Sequence, residues 1–469
     1  MANLSNCTYD EIEIGRSDTI SLQVSKTEVE ALALVTGDVD SFHVDAEEAA
    51  RGEEAGTVTQ ALGTEALLSS LLNRRMPGPG TIILGHNLRF QGRVAVGDVL
   101  TATVIAKEKR SYGRVVVFDC RCVNQRGEVL AQGSAEVAAP DKRIAYTDIA
   151  TPEVILRHND GFVQLLKKCG GLAPEPCAVV HPCDRDSLLG AIEAAKRGLI
   201  VPVLVGPEAK IQAIAVAEGV DLSPYRLVST EHSHAAAEKA VAMARAGDVA
   251  ALMKGSLHTD ELMRAVVSSA TGLRTERRIS HVFVMDVPAY PRTLFITDAA
   301  INLAPNARDK ADIVQNAIDL AHVLGIECPR VAILAAVETV NPDMPSTVDA
   351  AMLCKMADRG QITGGILDGP LAFDNAINED AARTKKIVSP VAGKADILLV
   401  PDLEAGNMVA KQLQYLAGAQ GAGIVLGARV PIVLTSRADN IRARLASTAV
   451  LKLVANAKRS QASGAALGG

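Results

Sequence analysis

"SPVAGKADILLVPDLEAGNMVAKQL", residues 389–413, decides the architecture of most of the chain. "ADILLVP" is an unbroken apolar run of strand length, and a run without polar alternation belongs to a strand covered on both faces. An acidic turn holding Asp402, Gly406 and Asn407 follows, and then a helical pattern. Strand, turn and helix together make one unit of a parallel sheet. The same succession recurs in "CAVVHPC" before "DRDSLLGAIEAAKRG", "LIVPVLVG" before "PEAKIQAIAVAEG" and "VAILAAVE" before "STVDAAMLCKMADRG". Residues 154–469 read in this style throughout and are too many for one core. They are predicted to form an α/β domain of parallel, doubly wound sheets in two lobes around a cleft. Ligands of such sheets bind where loops leave the carboxyl ends of strands. Asp402, Gly406 and Asn407 sit in one such loop; Ser436, Arg437 and Asp439, in "TSRAD" behind the apolar strand "VPIVL", sit in another. Taken singly, each loop is equally explained by turn and capping chemistry.

Ahead of residue 140 the style changes. "TVTQALGTEALLSSLLNRRMPGPG" (57–80) carries apolar residues at helical spacing and stops at Pro-Gly-Pro-Gly. Four β-rich runs follow, at 81–90, 99–110, 113–125 and 127–139. Ser25 and Glu28 make a capping box for a short helix ending near Gly37. One apolar helix against an antiparallel meander is an α+β domain, assigned to residues 1–140, with a polar, Pro-bounded linker at 141–153. Inside it, "TGDVDSFHVD" (36–45) gathers Gly37, Asp38, Asp40 and His43 into one loop. An acid and an imidazole so close can handle a proton together, although turn residues alone also account for such a loop.

Composition narrows the functions. Aromatic residues make up 3% of the chain, with no Trp, which argues against base-stacking platforms. A net charge of −6 gives no general footprint for a polyanion, so no nucleic-acid partner is expected. The eight cysteines form no CxxC pair, which argues against zinc ribbons and disulfide scaffolds; no metal site is expected. Cys120 and Cys122, two apart in a strand, share one face and read as packing. The polar start "MANLSNCTYDEIEIG" lacks a signal peptide's pattern and no apolar stretch reaches spanning length, so a cytoplasmic protein without membrane contact is expected.

With those residues in place, the front of the chain resembles the MaoC-like hot-dog domains, which include R-specific enoyl-CoA hydratases. Their signature is Gly-Asp-x-Asn-Pro-aliphatic-His. Gly37, Asp38 and His43 stand at that spacing, while Asp40, Ser41 and Phe42 replace the amide, the proline and the aliphatic residue. The resemblance implies that Asp38 and His43 activate and exchange the proton of a water added across a 2-enoyl thioester, with Gly37 and Asp40 beside the substrate. Asp40 puts a second negative charge near Asp38, which tends to raise one pKa of the pair.

The remainder resembles the phosphate acetyl/butyryltransferases, whose architecture is shared with the isocitrate dehydrogenases. The resemblance rests on Pro390-Val391-Ala392-Gly393-Lys394-Ala395-Asp396, Pro401-Asp402-Leu403 with Gly406-Asn407, and Ser436-Arg437. "DGPLAFDNAI" and "LMKGSLHTDELMR" lean toward the butyryl branch. It implies transfer of a short acyl group between CoA and orthophosphate without a bound cofactor, Ser436 and Arg437 supporting the transition state. Arg264 falls one residue from a substrate-contacting arginine of the family, and a second such arginine has no counterpart. The family's thiol base is an aspartate whose ungapped position here is Ala443, leaving Asp439 as the nearest acid. Acyl-CoA or CoA and phosphate are the expected partners, and both resemblances imply a homo-oligomer, a dimer or larger. Metal-dependent dehydrogenases need clustered aspartates, and no Asp-x3-Asp stands on a suitable helix. A different reading keeps the resemblance without the chemistry: one or both domains serve as acyl-CoA-binding, regulatory or assembly modules.

Overall fold

The computed structural model describes residues 3–37, 58–59, 61–147, 160–435 and 439–467. The chain divides into two units, Met1–Arg157 and His158–Gly469.

The first unit runs β1 (Asn3–Ser5), β2 (Ser17–Gln23), α1 (Lys26–Thr36), β3 (Val58–Thr59), α2 (Ala61–Arg74), β4 (Ile82–Phe90), β5 (Val94–Ala95), β6 (Val99–Arg110), β7 (Val115–Val123), β8 (Val129–Ala138) and β9 (Ala145–Thr147). Five of these strands form an antiparallel sheet in the order β2-β6-β7-β8-β4. The sheet wraps the apolar helix α2, whose Leu68, Leu71 and Leu72 are fully buried against Ala102 and Val104 of β6 and Phe118 of β7. A helix embraced by an antiparallel sheet is the hot-dog fold. Along β7, Val116, Phe118, Cys120 and Cys122 all point inward, the period of two that a half-buried strand requires. Burial pushes the Cys120 thiol up to about 12 and the Cys122 thiol up to about 11, so both behave as small apolar groups. Ser25 caps α1, accepting from the Glu28 N–H at 3.2 Å while the Glu28 carboxylate accepts from the Ser25 N–H at 2.9 Å. Gly37, left-handed at φ 73°, ends it. Asp38, Asp40 and His43 follow directly and lie outside the described residues. Within the stretch read as linker, β9 pairs antiparallel with β1.

The second unit begins with α3 (Asp160–Lys168), β10 (Glu175–Val180), α4 (Arg185–Lys196), β11 (Ile200–Gly206), α5 (Glu208–Ala217), β12 (Arg226–Ser229), α6 (Ser233–Ala246), β13 (Ala251–Lys254) and α7 (Thr259–Val266). It continues with β14 (Ser280–Asp286), β15 (Leu294–Thr297), α8 (Ala307–Val323), β16 (Arg330–Leu334), α9 (Pro345–Asp358), β17 (Ile366–Leu371), α10 (Phe373–Ile377), α11 (Glu379–Thr384), β18 (Ile397–Leu399), α12 (Leu403–Tyr415), β19 (Gln420–Leu426), β20 (Ile432–Val433) and α13 (Ile441–Leu467).

Among the described residues of this unit, eleven strands join one sheet, ordered β12-β11-β10-β13-β20-β19-β14-β15-β18-β16-β17. Two blocks are parallel, β12 to β20 and β15 to β17, as the unbroken apolar runs predict. Between them, three successive antiparallel pairings, β20 with β19, β19 with β14 and β14 with β15, reverse the direction of the second block. Carboxyl ends of the two blocks therefore leave the sheet at opposite edges. One face carries a continuous core under α4, α5, α3, α13, α8 and α9. The other carries two separate cores, one under α6 and α7 and one under α10 to α12. These two helix groups are the lobes, with β14 and β19 between them. No helix among the described residues is long and apolar enough to cross a membrane.

Candidate active site

β10, β13 and β20 are neighbours whose carboxyl ends reach one edge in register. Val180 pairs with Lys254, and Met253 with Val433, so His181, Gly255 and Thr435 come next to one another just beyond the strands. Gly255 is required here. A Cβ at this position would meet Val180 O at 2.4 Å and His181 O at 2.5 Å, both backbone atoms that cannot give way. Gly255→Ala is expected to destabilise this unit by about 3 kcal/mol, the upper range for overpacking, and to depress activity by separating β10 from β13. Chemical denaturation checks it; an unchanged midpoint would mean that the strands part freely.

The closeness that glycine permits lets the next side chain act. Ser256 Oγ donates to His181 O at 2.9 Å and lies 2.9 Å from His181 Nδ1. Beside them, Lys254 is 4% exposed and donates to Gly255 O and Thr435 O, both at 3.4 Å. Arg444, near the start of α13 and 6% exposed, donates from Nη1 to Thr435 Oγ1 at 3.0 Å and from Nε to Asp439 O at 3.2 Å. Gly190 of α4 makes room for it, since a Cβ there would meet Arg444 Cδ at 2.9 Å. Lys and Arg are rarely buried to this degree without a charge-related reason. These two cations hold the residues on either side of Ser436-Arg437-Ala438. Ser436 and Arg437 themselves lie outside the described residues. Fixed positive charge at such an edge favours an anion.

Arg264 is exposed in the last turn of α7. At the edge where Thr435 stands, a cavity of ≈ 540 Å³ is lined by Phe162, Asp286, Gln420, Asn440, Arg442 and Ala443. That volume is usual for ligand sites. The Arg442 guanidinium lies 5.1 Å over the Phe162 ring.

Asp402, Gly406 and Asn407 follow β18 and so belong to the opposite edge. Asp402 caps α12, accepting from the Ala405 N–H at 2.8 Å. Asn407 Nδ2 donates to Ala299 O at 3.2 Å. A Cβ on Gly406 would meet Val400 Cγ2 at 2.7 Å and Asp298 O at 3.0 Å. Together they fasten the loop after β15. Within that loop Asp298, 2% exposed, accepts from the N–H groups of Ala300 at 3.0 Å and of Ile301 and Asn302 at 3.1 Å. Burial pushes the Asp298 carboxyl up, and those donors act against it. Arg278 Nε donates to Asn302 Oδ1 at 2.7 Å, tying the loop to the approach to β14.

His181 and Arg444 did not stand out in the sequence, and Lys254 and Ser256 were quoted within "LMKGSLHTDELMR" without a role of their own. His181 closes the apolar run "CAVVH" and Lys254 the run "ALMK", so each reads as a strand terminus. The Gly-Ser after Lys254 was the available signal, because a glycine at a strand end marks close backbone approach. Among the described residues, no group of three or more His, Cys, Asp or Glu could hold a metal ion.

Residues 230–451 match the family described as Phosphate acetyl/butaryl transferase, and residues 11–123 match the MaoC like domain. The phosphate acetyltransferase of Rhizobium meliloti is 65% identical over 298 residues, 64% of this chain and 94% of that protein. The phosphate butyryltransferase of Clostridium acetobutylicum (strain ATCC 824) is 42% identical over 297 residues, 63% of this chain and 99% of that one. Among solved structures, a branched-chain phosphotransacylase from Enterococcus faecalis V583 superposes with a TM-score of 0.52 at 28% identity, covering 60% of this chain and 99% of its own. The match reaches past the strand ends where the buried cations gather and spans nearly all of each relative, and on that ground the chain belongs to the phosphate acetyl/butyryltransferase family, with a MaoC-like domain ahead of the transferase region.

Proposed function

We propose that the second unit transfers a short acyl group between CoA and orthophosphate. The observation that carries this reading is the pair of buried cations, Lys254 and Arg444, holding Thr435 and Asp439 on either side of Ser436-Arg437. Phosphate needs a planar fork of donors, which Arg437 supplies better than any lysine. The thiolate of CoA attacks the carbonyl carbon of an acyl phosphate, the C=O electron pair moves to oxygen, and the C–O bond to phosphate then breaks. Ser436 donates to the oxyanion of the tetrahedral intermediate. Arg264 completes the cationic surroundings of the phosphate. Acetyl and butyryl relatives both support a short acyl group. The test is purified full-length chain with acetyl-CoA or butyryl-CoA and phosphate, followed by thiol release; no phosphate-dependent release from either would refute the reading.

For the first unit we propose hydration of a 2-enoyl-CoA by Asp38 and His43, supported by the MaoC-like match across residues 11–123. Gly37, which directly precedes them in the sequence, ends α1 in the left-handed conformation. If that loop no longer catalyses, the domain binds acyl-CoA or serves assembly.

A further inference from the structure

A second cavity of the transferase unit, ≈ 390 Å³, lies at the edge opposite Thr435, where β19 ends. Its walls come from α8, the exit of β19, the loop before β14 and the far part of α13. Lys458 of that wall stands roughly 20 Å along α13 from Arg444, so the cavity is separate from the strand ends described above. The loop before β14 is fixed against the strand exit. Thr275 Oγ1 donates to Gly427 O at 2.6 Å and accepts from the Arg277 N–H at 3.1 Å. A Cβ on Gly427, which holds φ 82°, would meet Arg278 O at 2.2 Å, so only glycine lets the two backbones lie this close. The cavity is built into the fold, as ligand pockets usually are, and its volume falls in their range.

Charge inside it does not balance. Among the described residues of the lining, Asp319 is the carboxylate, and it is already engaged. Its Oδ2 pairs with Arg277 Nη1 and its Oδ1 accepts from Gln315 Nε2 at 3.0 Å. The imidazole of His322 donates from Nε2 to Gly364 O at 2.7 Å. Lys458 is half-buried and uses one of its three N–H groups, donating to Ala428 O at 2.9 Å. Among the described residues no carboxylate pairs with it. The charge that acts on it is instead a second cation: burial and Arg277 both hold its ammonium below the ordinary pKa. Lysine is seldom buried without a partner, because the charge loses water and gains nothing in return. A negative group entering the cavity supplies what is missing. Around this head the walls are apolar, with Leu320, Val323, Leu426 and Val454. An inorganic ion alone would leave them unfilled.

We propose that this cavity binds a small organic acid, whose carboxylate or phosphate group pairs with Lys458 beside Arg277 and whose apolar body fills the space between α8 and α13. The site goes beyond the acyl-transfer reading and stands on its own observations, since no residue of the transfer chemistry lines it.

Benzoate and phenyl phosphate, which share a ring and differ in the head group, are the probes. Calorimetric titration of the full-length chain should show saturable binding, and the tighter of the two tells a carboxylate ligand from a phosphate one. Lys458→Met keeps the length of the side chain and the helix without the charge. It should weaken binding by ~10–100-fold, the loss expected for a hydrogen bond to a charged group. Without probe the variant should melt above wild type, because an unpaired ammonium is gone. With probe, the melting temperature of wild type should rise and that of the variant should not. Ala457→Leu puts bulk into the cavity and leaves Lys458 charged; it should abolish binding too, which keeps the proposal testable if the methionine variant fails to fold. Binding that survives in the folded variants belongs elsewhere on the chain and overturns the proposal, as does a wild type that binds neither probe. Acetyl-CoA turnover with phosphate should be unchanged in both variants; its absence from wild type would overturn the transferase reading and leave this site untouched.

Discussion

Replacing Arg437 by alanine is expected to slow acyl phosphate formation by about 10²–10³-fold, or about 2–4 kcal/mol of barrier. The guanidinium is assigned two tasks at once, a bidentate hold on phosphate and stabilisation of the charge that develops as the acyl group moves. Its neighbours locate the effect. Lys254 donates to the Thr435 carbonyl, and Arg444 donates to the Thr435 hydroxyl and the Asp439 carbonyl, the described residues that flank Ser436-Arg437-Ala438 in the sequence. Arg437→Lys keeps the charge without the planar donors and should recover only part of the rate. Steady-state kcat and KM for phosphate, measured on variants with wild-type circular dichroism, check this. A rate within threefold of wild type in Arg437→Ala would remove Arg437 from the chemistry.

An equally large effect is expected in the first unit. Asp38→Asn and His43→Ala should each abolish hydration of crotonyl-CoA, by ~10²–10⁴-fold or to background, since general acid–base contributions are of that size. If the two residues serve one water, the double variant should be little worse than either single one, because a relay is broken once. Asp40 gives the converse test. Asp40 stands, two residues after Asp38 in the sequence, where the family signature has an amide donor, so Asp40→Asn should increase hydration. Absorbance of the enoyl thioester follows all four proteins. Wild type and Asp40→Asn both inactive, with crotonyl-CoA still bound, would leave the domain a binding or assembly module.

The parallel blocks were legible because burial on both faces leaves unbroken apolar runs. "AVV" of β10, "PVLVG" of β11 and "ADILLV" around β18 could hardly be anything else. Direction was not legible. "SHVFVMD" and "QGAGIVL", the antiparallel strands β14 and β19, carry the same kind of run, and an apolar run has no polarity. So the reversal that sends the Asp402 loop and the end of β20 at Thr435 to opposite edges was hidden. Asp402 was legible both as a helix cap and as a site residue, and its carboxylate is occupied as a cap. β2, "SDTISLQ", went unread because an edge strand with exposed faces alternates too weakly. Lys254 and Arg444 were hidden for a different reason. Lysine and arginine are mostly exposed, and only the folded packing, such as that of Gly190 against Arg444, reveals that these two are not.

Phosphorus NMR of the purified chain mixed with butyryl-CoA and orthophosphate tests the central claim most directly, because it sees the bond that the second unit is proposed to make. An acyl phosphate resonance should grow in as orthophosphate falls and free thiol rises in equal amount, and it should be absent in Arg437→Ala. Butyryl-CoA that is bound tightly while orthophosphate stays unchanged, with acetyl-CoA behaving the same way, would contradict the account and leave the second unit an acyl-CoA-binding domain.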